Sequence, residues 1–396
     1  MRKSLLAVAA LMGVAALPQR AEAVAFRVAE DISGNMGFRG QIWGQVLGER
    51  TSGNKGAVDF RLNNVRLYAN GNVGKYMFFG ANLDFEPGTA RASDAFIGIR
   101  FQDEFRVQAG LFRTPFSRAA LTDSYTFLVP TGYFYSGTPV PGGYYRAGVS
   151  FEVDAPLRGP SRYRNLGLAI WGELGGKDVP FKYYLGVFDG PYNNSVGAPG
   201  SDNLMFSARV QFTPTTLGFK GERGYGLRDT QLGRQNVLSF GLGYTTQKCQ
   251  PVLTGLCSAG TSFTTSAFTI DAKHEQRFGK NLIAGWEAAY FDVKDVNTAK
   301  DDRRGFYVQV SAINDQRIGV GKAGIAIKYD YAEQNPATGA KSKLTRIGGA
   351  VNYFLKGQDA LLQLAVDRVE PNFTARNNNP NNKKFTDLTL AFQVQF

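Results

Sequence analysis

Histidine, cysteine and long apolar runs are what this chain has least of. The 396 residues include one histidine and two cysteines. Nucleophilic hydrolysis needs a base beside the nucleophile, and zinc needs His or Cys ligands, so a lone His274 supports neither. No metal and no cofactor is expected, and the chain does not read as an enzyme. After the first two dozen residues no stretch approaches the ~20 apolar residues of a membrane-crossing helix. Helix-forming runs of Ala, Glu, Lys and Leu are scarce, and no Gly-rich phosphate cradle occurs. Paired acids at Asp301-Asp302 and Asp292/Asp295 fall in one expected loop and read as a solvated surface rather than a calcium site.

What is present points outward from the cell. Arg2 and Lys3, the apolar run Ser4 to Leu17 and the small-x-small sequence Ala21-Glu-Ala23 form a secretory signal over residues 1–23. One β-barrel domain is expected over 24–396. The formal net charge is +12; Arg2, Lys3, Arg20 and Glu22 together carry +2, leaving about +10. Export, and the lack of basic runs interleaved with aromatics, argue against nucleic acid. Cys249 and Cys257 share one expected loop in an oxidising compartment, which predicts a local disulfide.

The remaining signal is alternation. Glycine accounts for 47 residues and aromatics for 13%, a profile of short strands and tight turns. At the C-terminus Leu388, Leu390, Phe392, Val394 and Phe396 recur at every second position, with Asp387, Thr389, Gln393 and Gln395 in the other phase. A strand so built has one apolar and one wet face. Ending on an aromatic edge strand invites aggregation in water but suits a barrel that closes on its last strand. The same alternation predicts sixteen strands near 37–49, 58–70, 75–86, 92–101, 104–113, 163–174, 181–188, 203–213, 235–247, 263–274, 281–293, 303–313, 320–333, 344–356, 359–371 and 384–396. Each approximates the ~10 residues that cross a bilayer at a tilt, and aromatics gather at strand ends. The expected fold is all-β: a transmembrane antiparallel β-barrel of about sixteen strands in the outer membrane, with a long loop after the fifth strand that would constrict the lumen. The run 145–153 also alternates and is assigned to that loop, because a seventeenth spanning strand would break parity. Asn63-Asn64 marks a phase slip, as a bulge would. Residues 214–234 are long for a turn at the short-turn end, and the sequence offers no reason for it.

Sixteen strands leave room for water inside. On the inner phase fall Arg39, Arg66, Arg100, Arg106, Lys182, Arg209, Lys273, Lys322, Lys328 and Arg346, against Asp84, Glu86, Asp94, Asp271, Glu287, Asp330, Asp367 and Asp387. Gly110-Leu-Phe-Arg-Thr-Pro-Phe-Ser-Arg118 with Leu121-Thr-Asp-Ser124, then Arg164-Asn-Leu-Gly-Leu168, Tyr184-Leu-Gly-Val-Phe-Asp-Gly190 and Ala208-Arg-Val210 with Pro214, resemble in order the phosphate-selective porin O and P family. The resemblance covers roughly 60–214. It implies a sixteen-stranded, trimeric outer-membrane porin for passive diffusion of small hydrophilic solutes without fixing phosphate as the solute; the excess of arginine over carboxylate in the loop region 113–164 favours anions. The constriction is expected to hold Arg113, Arg118, Arg146 and Arg164 of that loop region. The lining would hold Arg66, Arg100, Arg106, Arg209, Lys322, Lys328 and Arg346. Expected partners are anionic or hydrophilic solutes, lipopolysaccharide and two further copies of the chain. Two alternatives stay open: a non-selective general porin, and a structural or adhesive barrel.

Overall fold

A computed structural model describes residues 23–48, 56–86, 89–133, 164–190, 203–249, 262–295, 301–335, 341–373 and 384–396. Most of the expected signal, the run 145–153, Arg146 and Cys257 lie outside them. The strands are β1 (Val24–Ala29), β2 (Ile32–Leu47), β3 (Ala57–Val73), β4 (Met77–Glu86), β5 (Thr89–Gln102), β6 (Phe105–Arg113), β7 (Arg164–Leu174), β8 (Phe181–Phe188) and β9 (Met205–Phe212). They continue as β10 (Val237–Cys249), β11 (Phe263–Phe278), β12 (Leu282–Lys294), β13 (Asp302–Asn314), β14 (Lys322–Asn335), β15 (Ser342–Phe354), β16 (Ala360–Phe373) and β17 (Phe385–Gln395).

The sheet has seventeen strands. From β2 onward each pairs antiparallel with the next, and β17 returns to β2 through the register Val394↔Gly40 to Leu388↔Val46. All sixteen expected strands are present in this ring. Closure leaves no open edge, which a hydrocarbon surround demands because nothing there can satisfy a bare N–H or C=O. The chain before the first ring strand forms a further short strand that the alternation did not mark. Val24–Ala29 folds back on β2 in the register Val24↔Met36 to Ala29↔Ile32, directly below the end of β17. The bulge falls where the phase slip placed it: Gln41 faces Asn64 and Ile42 faces Leu62, so Asn63 is the extra residue. The Nδ2 groups of Asn63 and Asn64 both donate to Gln41 Oε1 at 2.9 Å.

The two phases of every strand part company in space. Outward positions leave large apolar side chains uncovered, with Ile97 59%, Leu185 54% and Ile327 54% exposed. A continuous apolar belt of this kind is a lipid-facing surface. His274 belongs to it, its ring lying between Phe219 and Trp286. Inward positions bury charge: Arg66, Arg106, Lys182, Arg209, Lys273, Lys328, Arg346, Asp94, Asp271, Glu287, Asp330, Asp367 and Asp387 are all buried. Cys249, at the end of β10, is disulfide-bonded.

The closing seam ends on Phe396. Its N–H donates to Phe38 O at 2.9 Å, its carbonyl accepts from Phe38 N at 2.8 Å, and the two rings sit 5.6 Å apart. Deleting Phe396 removes two backbone hydrogen bonds and a ring contact, together roughly 2–4 kcal/mol. The expected result is a lower temperature for loss of the heat-modifiable folded band on gels. An unchanged midpoint would show that the last residue adds nothing to closure.

Candidate functional site

The lumen is not an empty tube. Two segments enter it from opposite ends and meet. Residues 114–133 descend from the end that carries the long connections, and 213–236, which include the 214–234 stretch that the sequence leaves without a reason, rise from the short-turn end. They join through a parallel bridge at Thr122 and Leu227, with Leu227 N donating to Leu121 O and Asp123 N donating to Leu227 O, both at 3.0 Å.

Local sequence shapes the first segment. Ser117 caps the single-turn helix α1 (Arg118–Leu121), its Oγ accepting from Ala120 N at 3.0 Å. Pro115-Phe116 turns the chain against β10, where Gly243 stands: a Cβ there would lie 1.8 Å from Phe116 O, so only glycine admits the loop at that point. Beyond the helix the segment crosses the lumen. Tyr125 Oη donates to Asn64 O on β3 at 2.9 Å, and its carbonyl accepts from Gln393 Nε2 on β17 at 2.8 Å. Gly132 O accepts from Lys328 Nζ at 2.9 Å and from Arg346 Nη2 at 2.7 Å, and Tyr133 stacks on Tyr307 at 4.5 Å.

Arg118 is the centre of the assembly and has no solvent exposure. Its Nη1 and Nη2 donate to Glu222 at 2.6 and 3.0 Å, its Nε to Glu287 at 2.9 Å, and Nη2 also to Arg228 O at 2.7 Å. One guanidinium thus ties the descending loop, the rising turn and the barrel wall. Such a pairing needs all its partners, because a lone buried charge has no water to stabilise it. Burial pushes the Glu222 carboxyl up, but the charge and hydrogen bonds of Arg118 outweigh that and hold it at about 2. Asp123 is likewise held well below the usual carboxylate range: burial raises it, and Arg39 and Arg113 more than compensate. Asp229 goes the other way, raised by burial that Lys273 offsets in part.

The arginines expected to face solute are mostly engaged within the protein. Arg118 is the clamp just described. Arg164 grips Asp94 at 2.8 and 3.0 Å, and Arg209 grips Asp271 at 2.5 and 2.8 Å. Arg346 pairs with Asp330 and, at 3.5 Å, with Asp367. Arg66 pairs with Asp84. Arg113 pairs with Asp123 at 3.7 Å and donates to Leu121 O at 2.8 Å. Of the four arginines expected at the constriction, Arg118 and Arg164 are buried and paired with inward carboxylates, Arg113 is paired with Asp123, and Arg146 lies outside the described residues. Lys322 keeps solvent contact but pairs with Asp315 at 2.6 Å.

Among the described residues, open space lies along β2–β7 at the short-turn end. A cavity of about 780 Å³ is lined there by Arg39, Arg100, Arg106 and Arg223 against Asp103 and Glu173, with aromatic and amide side chains between them. Arg106 is shared between Asp103 at 2.6 Å and Glu173 at 3.3 Å. Arg223, which the sequence reading missed, comes from the rising turn; no strand periodicity marks it.

A family model described as phosphate-selective porin O and P matches residues 36–131. Over that stretch the chain is similar to the phosphate-selective porin O and P family. The match takes in the Gly110–Arg118 and Leu121–Ser124 motifs and stops before those from Arg164 onward. The fold is shared with an anion-selective porin from Comamonas acidovorans at TM-score 0.58 and 13% identity, covering 92% of this chain and 100% of that one. It is shared also with the outer membrane channel DcaP of Acinetobacter baumannii, at TM-score 0.54 and 10% identity over 94% and 100%. OmpT of Vibrio cholerae, described in a trimer form, gives TM-score 0.52 and 13% identity over 92% and 99%. No curated protein matches. The chain is a porin-type barrel of the outer membrane, and family and fold point to a channel.

Two outcomes follow for the clamp. Arg118→Met leaves Glu222 and Glu287 buried without their cation, so the folded barrel should lose roughly 3–5 kcal/mol in denaturant unfolding. Protease access to 114–133 should rise with it. The pH dependence has a definite sign. Glu222 lies below its ordinary 4.5 in the folded state, so its contribution is complete above pH 4.5 and is lost as pH falls toward 2. Single-channel conductance should hold constant from pH 7 to 5 and change only in stronger acid; a transition near neutrality would rule the clamp out as the controlling group.

Proposed function

We propose that this chain forms a passive water-filled channel for small hydrophilic solutes with a preference for anions. The observation that carries this reading is the excess positive charge of the open cavity: Arg39 pairs with Asp123, Arg106 and Arg223 share Asp103 and Glu173, and Arg100 is left over. In a narrow low-dielectric passage that excess concentrates anions and repels cations. Specificity for phosphate gains no support from the arginines first suspected of it, since Arg118, Arg164, Arg209 and Arg346 already hold carboxylates. That same neutralisation favours a second reading, a general porin whose lining charges cancel. The exposed apolar belt and the trimer form described for the Vibrio cholerae fold relative support a homotrimer with lipopolysaccharide around it. No catalytic role is proposed.

The deciding measurement is the zero-current potential of the purified protein in a planar bilayer under a KCl gradient. Its sign should be that of an anion-selective pore, and the double change Arg100→Gln with Arg223→Gln should move it toward zero. Arg113→Glu, whose charge already pairs with Asp123, should shift it less. A wild-type potential near zero would decide for the general porin, and a sealed bilayer would end the channel reading. In detergent, light scattering should give three times the mass of one chain.

A further inference from the structure

The cavity at the short-turn end has an apolar floor that selection among simple anions does not use. Phe78 on β4 and Phe96 on β5 both line it, each half-buried, their rings edge to face at 6.3 Å. Register places Phe78 opposite Gly98 and Phe96 opposite Gly80. A Cβ on Gly98 would lie 2.1 Å from the Phe78 ring, and one on Gly80 2.5 Å from the Phe96 ring. Each ring thus fills the space over the glycine across from it, and the edge-to-face pair makes an apolar patch on a charged and amide wall. Arg100 stands one inward position beyond Gly98 on the same strand. Its Nη2 donates to Asn72 Oδ1 at 3.1 Å. Among the described residues it forms no ion pair, so its charge is uncompensated, unlike Arg106 and Arg223, which share Asp103 and Glu173.

We propose that this cavity binds an aromatic monocarboxylate, with the ring on Phe78 and Phe96 and the carboxylate on Arg100. The volume of about 780 Å³ lies in the range of small-molecule sites, which combine apolar walls with a few convergent polar groups. Ring pairs gain from edge-to-face or offset contact, and a planar guanidinium meets a carboxylate with two parallel hydrogen bonds. A dianion such as phosphate leaves the floor unused. This inference deepens the channel reading by naming a solute class for its vestibule.

The test uses the full-length protein in micelles, titrated with benzoate, acetate, cyclohexanecarboxylate and inorganic phosphate by ligand-observed NMR, alongside block of chloride current in bilayers. Benzoate should bind at least tenfold more tightly than acetate, and more tightly than phosphate. Arg100→Gln should weaken benzoate about tenfold and Arg100→Lys much less, while Phe78→Asn should bring benzoate to the level of acetate. Should Phe78→Asn fail to fold, the wild-type ranking decides alone. Equal binding of benzoate and acetate, tighter binding of phosphate, or no effect of Arg100→Gln would overturn the proposal, and cyclohexanecarboxylate matching benzoate would overturn its aromatic part. Chloride current without benzoate preference would remove the site and leave the channel; benzoate binding in a sealed barrel would do the reverse.

Discussion

In hydrocarbon no backbone hydrogen bond can be left open, and everything else in this protein follows from that constraint. It forces the sixteen-stranded sheet to close, with β17 on β2. Closure in turn sorts side chains by parity. One phase meets lipid and the other meets the lumen, so charges that could never face the bilayer are gathered in one interior. Sixteen buried acids and bases on the described strands are the direct result.

A lumen so charged is not stable as bare opposed ions, and the inserted segments are what balance it. The wall itself pairs Arg209 with Asp271 and Arg346 with Asp330. The segments 114–133 and 213–236 complete the accounting: Arg118 serves Glu287 from the wall and Glu222 from the opposite turn, while Asp229 serves Lys273. The inserted segments brace the wall where they meet it, and a cavity along β2–β7 stays open beside them. Selectivity follows from which charges remain unspent after this pairing, not from how many there are. Arg100 remains unspent because its nearest partner is an amide.

The strand count, the bulge at Asn63 and the split between lipid and lumen faces were legible in the sequence because each is a period-two property of a single strand. The sequence also located the loop after β6 and its motif. It could not say that 213–236 enters the lumen, since that segment has no periodicity and its partners lie on other elements: Lys182 on β8, Gln309 on β13, Leu128 on the loop. The short β1 escaped notice as well, because Ile32 to Met36 show little apolar contrast against which a partner could be inferred.

The role of each arginine was decided in three dimensions. Arg100 and Arg209 are alike in sequence, both inward, both flanked by apolar neighbours in the opposite phase. One meets Asn72, the other Asp271. Sequence alone determined that this chain closes into a membrane barrel with a charged interior, because alternation is a local, one-dimensional property enforced by lipid. Only the tertiary structure decided which of those charges remain available to solute, because pairing depends on cross-barrel distances of a few ångströms that the linear order of residues does not contain.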